Sequence, residues 1–185
     1  MADQRTYNDN DLIQLYMGKI TPQCREDRVD HMWTQILRYY FHVNEFYGIE
    51  REVYTTEIGR GRVDLMVTGI HLGEIYKTLF LEAKRPPAPS RNITRNSWDA
   101  MKSQLQANID RWADRDLNVP VYGMTAVGLY VKFYVIPAHQ TQLQPVMLTD
   151  RPYSLREESL RVDAILSNIK DSIKSSLQIL PPADT

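Results

Sequence analysis

Apolar residues recur along this chain with two periods, and the switch between them marks out its elements. Val29, Met32, Trp33, Ile36, Leu37 and Tyr40 fall three or four apart, the spacing of one buried helix face. Thr21-Pro22 reads as the start of that helix, with threonine as N-cap and proline in the first turn. Upstream, residues 1–20 read as a short helical arm, with Asp9 capping Leu12, Ile13, Leu15 and Tyr16 and Gly18 ending it. Gly48 closes this helical region, and the pattern becomes one of short runs rich in β-branched and aromatic residues. It predicts strands over 49–58, 61–67 and 78–84, with a turn at Gly59-Arg60-Gly61 and a glycine-bearing loop over 68–74.

The proline-rich run from Arg85 to Arg91 cannot continue a ladder, because proline has no backbone donor. It is either a stiff connector or a substrate flap. Helical spacing returns over 97–115 in Trp98, Met101, Leu105, Ile109 and Trp112, followed by strands over 121–126 and 129–136 that Pro137 ends. A polar loop over 139–152 leads to a capping-box pattern at Ser154-Leu155-Arg156-Glu157. Beyond it Val162, Ile165, Leu166, Ile169, Ile173 and Leu177 mark a long amphipathic helix ended by Pro181-Pro182. The expected architecture is α/β: a central mixed sheet flanked by helices, within one domain spanning 1–185 and with its core over 22–137.

Charge interrupts this pattern at one place. Asp64 lies within one apolar strand, and Glu82 and Lys84 lie within another, where alternation sends them to one face and Leu81 and Ala83 to the other. Two carboxylates and an ammonium brought together in this way suit a hard divalent cation, Mg2+ or Mn2+, that takes oxygen ligands and leaves room for a phosphate. Such an ion acidifies a bound water and steadies the charge that builds during in-line displacement, so the implied reaction is phosphodiester hydrolysis.

At these residues the sequence resembles the PD-(D/E)XK nuclease superfamily. Gly61-Arg62-Val63-Asp64 matches the first half of its motif, with Val63 where the naming proline would stand, and Glu82-Ala83-Lys84 matches the second. The resemblance implies a restriction-endonuclease-like core in the order α-β-β-β-α-β. It assigns metal binding to Asp64, Glu82 and the backbone carbonyl of Ala83, and water activation to Lys84. Family members often add an acidic residue or a histidine from the first helix, for which Glu26, Asp27, Asp30 and His31 are candidates, with Glu26 preferred because it flanks the apolar stripe. Solvated carboxylates that complement the helix dipole are the other reading of these residues. Glu57 is either a further metal carboxylate or an exposed partner of Arg60 or Arg62. Family members also carry a glutamine on the helix after the second motif strand, and Gln104 fits, although Asn108 replaces the aromatic that often follows it.

Arg85, Arg91, Arg95 and Lys102 form a local basic patch suited to phosphate neutralisation, as Lys84 and Arg111 also are. The chain as a whole is not basic: its net charge is -1 over 185 residues. The hydrophobic share of 43% and charged share of 24% are those of an ordinary globular protein. No stretch has the length of a membrane span or the layout of a secretory signal, and the lone Cys24 excludes an internal disulfide; an intracellular setting, cytoplasmic or nuclear, is expected. The expected activity is a Mg2+- or Mn2+-dependent nuclease acting on DNA. The alternatives are a catalytically silent binding protein on the same fold and an RNA endonuclease that uses His31. The C-terminal helix offers a surface for a homodimer, and specificity is left to a possible protein partner.

Overall fold

The computed structural model describes residues 6–54, 62–71, 73–88, 93–112 and 115–177. Its helices are α1 (Asp11–Gly18), α2 (Glu26–Tyr40), α3 (Arg95–Asp110) and α4 (Ser159–Ser176). Its strands are β1 (Tyr47–Tyr54), β2 (Arg62–His71), β3 (Glu74–Lys84), β4 (Val121–Val127), β5 (Tyr130–Ile136), β6 (Gln144–Pro145) and β7 (Tyr153–Ser154). The strands form one open sheet in the order β1-β2-β3-β4-β5-β6, with β7 also paired to β5. Only β3 and β4 run parallel among these pairs, and α3 is the connection that a parallel pair requires.

Side-chain alternation divides the core into two faces. On one, Leu65, Val67, Leu79, Leu81 and Ala83 of the sheet meet Met32, Trp33, Ile36 and Leu37 of α2 and Ile165, Leu166 and Ile169 of α4. On the other, Met66, Phe80, Val121 and Tyr134 meet Leu105 and Ile109 of α3. Helix α3 approaches closely at Gly123, where a Cβ would stand 2.8 Å from Leu105 Cδ2. Among the described residues no helix is long and apolar enough to cross a membrane.

Several element boundaries differ from those expected. The α2 stripe is buried as predicted, but the helix begins at Glu26 rather than at Thr21-Pro22. The Cys24 N–H bonds the Thr21 carbonyl at 3.0 Å, so the segment before α2 is a turn. Arg25 is the N-cap, with no side-chain cap, and Glu26 and Asp27 occupy the first turn, where carboxylates complement the exposed amides. In the arm, Asn10 rather than Asp9 caps α1, accepting from Leu12 and Ile13; Asp9 bonds back to Thr6. Tyr7, Ile13 and Met17 bury the arm against the α2 face. Gly48 lies inside β1, which starts two residues earlier than predicted, and Thr68–His71 continues β2 instead of forming a loop. Thr78 holds that extension by donating from its hydroxyl to the Val67 carbonyl at 3.0 Å. The Ser154 hydroxyl does accept from Glu157 N, but the carboxylate that returns to Ser154 N is that of Glu158, and α4 starts only at Ser159.

Candidate active site

Strands β2 and β3 pair from Leu65↔Leu81 towards the hairpin turn, and the ladder is missing at the charged end. Asp64 fills that gap: its Oδ2 accepts from the Ala83 N–H at 2.7 Å, so the carboxylate takes up a main-chain donor that β2 leaves free. Glu82, only 1% exposed, turns towards α3. Its Oε2 accepts from Gln104 Nε2 at 2.9 Å and its Oε1 from Asn108 Nδ2 at 2.6 Å. Asn108 also donates to the Arg62 carbonyl at 3.0 Å and accepts from Arg111 Nη1 at 3.1 Å, which ties α3 to the start of β2.

Lys84 leaves the last rung of β3 and reaches α2. Its Nζ stands 2.8 Å from Glu26 Oε1, with both side chains half-exposed. Alternation therefore starts Glu82 and Lys84 on the same face, but their tips bind different helices. Asp30, one helical turn beyond Glu26, is buried; its Oδ2 lies 4.0 Å from Arg51 Nη2, and its Oδ1 has no hydrogen-bond partner among the described residues. The structure thus brings together Glu26, Asp30, Asp64, Glu82 and Lys84 from α2, β2 and β3.

The electrostatics are those of a crowded acidic cluster. Burial, reinforced by the Asp64 charge and offset in part by Asn108 and Lys84, pushes Glu82 up to about 7. Burial pushes Asp30 up to about 7 as well, with Asp64 adding to the rise and Arg51 opposing it. Asp64 is raised too, by burial first, against the pull of the Ala83 N–H and Lys84. Burial works against the Lys84 charge, but its bond to Glu26 and the carboxylates around it outweigh burial and hold the ammonium above its ordinary range. In this arrangement the Lys84 ammonium is held protonated by the carboxylates around it.

The donor set has the chemistry for a hard dication: the candidate side-chain ligands are carboxylates, and Asp30 presents a buried oxygen with no partner among the described residues. Asp64 Oδ2, both Glu82 oxygens and Glu26 Oε1 are engaged by Ala83, Gln104, Asn108 and Lys84, and among the described residues no group of three or more His, Cys, Asp or Glu is spaced to hold a metal ion.

Of the remaining candidates, Asp27 pairs with Arg25 at 3.6 Å on the outer side of α2. His31 stacks on Tyr16, with ring centroids 6.5 Å apart, and accepts from Arg51 at its Nδ1 at 3.3 Å; it lines a separate small pocket with Lys19 and Arg28. Glu57 and Arg91 lie outside the described residues. The basic patch divides: Arg85 lines the cleft described below, Arg95 is an exposed partner of Asp99 at 3.9 Å, and Lys102 lies over the Tyr134 ring at 5.2 Å. Sequence reasoning missed Asn108. The available signal was its place four residues after Gln104, a polar side chain on an otherwise apolar stripe.

Lys84 and Gln104 open onto a cleft of about 970 Å3 walled by Arg85, Pro86, Pro87 and Ala88 on one side and by Thr94, Ser97 and Met101 of the α3 region on the other. The proline run therefore borders the site. No protein-family model, curated protein or solved structure gives a significant match to this chain.

Proposed function

We propose that the chain is a metal-dependent phosphodiesterase acting on nucleic acid, DNA in the first instance, on a restriction-endonuclease-like core. The observation that carries this reading is the convergence of Asp64, Glu82, Asp30 and Glu26 around Lys84, which with Gln104 lines an open cleft. Asp64 raises the proton affinity of Asp30 and Glu82, Glu26 raises that of Asp30 and Asp64, and Lys84, Arg51 and Arg62 offset these effects only in part. Such clustering is expected where a cation or a reacting phosphate belongs.

Asp64 and Glu82 would hold Mg2+ or Mn2+ by two carboxylates, leaving room for waters and a substrate phosphate, and the family resemblance adds the Ala83 carbonyl. When bound, the ion supplies an acidified water and neutralises developing negative charge. The chain's own part is positional. Gln104 and Asn108 fix the Glu82 carboxylate, the Ala83 N–H fixes that of Asp64, and Lys84 presents an ammonium to a phosphate entering from the cleft. Arg85 on the cleft wall adds sequence-independent attraction for the strand. The order α2-β1-β2-β3-α3-β4 agrees with the proposed core.

The test is cleavage of single- and double-stranded DNA and RNA with Mg2+, Mn2+ or chelator, comparing the parent with Lys84→Ala. Metal-dependent cutting that falls by at least about a hundredfold in the variant is expected, in the range of a lost general acid or base or a lost charge stabiliser. Binding of nucleic acid without cutting under any condition refutes the enzyme and leaves a silent binding protein.

A further inference from the structure

Beside the charged cleft lies a second void of about 490 Å3 with a different character. Ile20, Trp98, Leu129, Tyr130 and Pro152 line it, and no charged side chain does among the described residues. The two voids are adjacent: Pro22, Pro86 and Val127 border both. The β4–β5 turn packs against this shared wall. Gly128 takes φ +58 there, its N–H bonds the Lys84 carbonyl at 2.9 Å, and a Cβ on it would stand 2.7 Å from Pro86 Cγ. A strand whose phosphate rests against Lys84 therefore has an apolar recess within reach.

A phosphate has no place in that recess, because burying its charge among prolines and aromatics leaves it unpaired. A nucleobase has: it is flat, sheds water readily, and stacks on an aromatic whatever its sequence. Tyr130 is the exposed platform, 43% accessible at the rim, and Trp98 forms the floor at 4%. A base held in a continuous duplex cannot enter without leaving its stack, which adds an unpairing cost that an already single strand does not bear.

We propose that this recess receives an unpaired nucleobase next to the reacting phosphate, which makes single-stranded or locally unpaired nucleic acid the preferred substrate. The inference rests on the phosphodiesterase reading for its neighbouring phosphate, and its test separates the two. Binding is measured by fluorescence anisotropy in chelator with a fluorescein-labelled DNA strand, the same strand as a duplex, and the strand with abasic positions; cleavage is measured in Mg2+. The variants are Tyr130→Ala and Tyr130→Trp, which change an exposed side chain and leave the β5 backbone pairing in place.

Tyr130→Ala is expected to weaken single-strand binding about tenfold, in line with the loss of one stacked base, while Tyr130→Trp keeps it and duplex binding is unchanged. Abasic positions should reproduce the loss on the parent protein. If single-strand binding depends on Tyr130 but nothing is cut, the recess stands and the phosphodiesterase falls. If DNA is cut but Tyr130→Ala leaves single-strand affinity intact, or if duplex and single strand bind alike, the recess proposal is overturned while the enzyme stands. Absence of binding to every oligonucleotide overturns both.

Discussion

Replacing Glu82 by glutamine removes one negative charge from the cluster while retaining the side chain's length and an oxygen for Asn108. A carboxyl whose folded-state pKa is raised penalises the folded state wherever it is ionised. For Glu82 the penalty is absent below its ordinary 4.5, grows between 4.5 and about 7, and is complete above that. At 1.36 kcal/mol per tenfold change in proton affinity, the full penalty is roughly 3 kcal/mol. Glu82 is almost wholly buried, so solvent screening does not reduce that figure. Glu82→Gln in chelator at pH 8 should therefore gain up to about 3 kcal/mol in urea unfolding, or roughly 6–12 °C in thermal midpoint. At pH 4.5 and below the gain should vanish, since the parent carboxyl is then protonated as well. On the phosphodiesterase reading Mg2+ should reverse the order, because an ion bound only by the folded parent stabilises it by mass action while the variant lacks one proposed ligand. Equal pH slopes for parent and variant between pH 5 and 8, or a variant less stable than the parent at pH 8 in chelator, would refute the account of a strained acidic cluster.

Asn108→Ala deprives Glu82 Oε1 of its buried donor, so the Glu82 pKa should rise further, seen as a later midpoint in a carboxyl-carbon NMR titration without metal; an unchanged midpoint counts against the role given to Asn108. Gly128→Ala forces a Cβ into a left-handed backbone position and against Pro86, so a loss of about 1–3 kcal/mol is expected in chemical denaturation; no loss would show that this turn is not held as described. Tyr40→Phe removes the donor to Asp163 Oδ1, a 2.5 Å bond between buried groups, and should cost about 1–3 kcal/mol at neutral pH by urea melt, with a neutral result placing that carboxylate in contact with water.

The strands carrying Asp64, Glu82 and Lys84 were legible because charge in an apolar run is rare and needs a partner, and the structure does gather these residues. The α2, α3 and α4 stripes were legible from spacing alone, since each buries the face that the period predicts. Boundaries were less so. Thr21-Pro22 has the chemistry of a helix start, but proline's fixed φ suits a turn equally well, and the first hydrogen-bonded helical turn forms four residues later. Gly69 suggested a loop, yet the Thr78 side-chain bond and the pairing to β1 keep that segment in the sheet. Asp30 was one of four acidic or histidine candidates within six residues, and local spacing cannot say which of them tertiary packing will bury. Asn108 stood out in sequence only as a departure from the family pattern, and its bond to Glu82 was not legible because the two are 26 residues apart.

The carboxylates of α2 sit on a helix whose opposite flank is completed by residues made late in synthesis. Tyr40 is fastened to Asp163, and the Tyr7 hydroxyl, from the first described turn, donates to the Leu155 carbonyl 148 positions later. On the ribosome, Asp64, Glu82 and Lys84 have all been translated while this flank is still lacking. Until α4 has left the exit tunnel, the helix that carries Glu26 and Asp30 lacks the Tyr40–Asp163 bond, so this flank of α2 is among the last parts of the fold to be fastened.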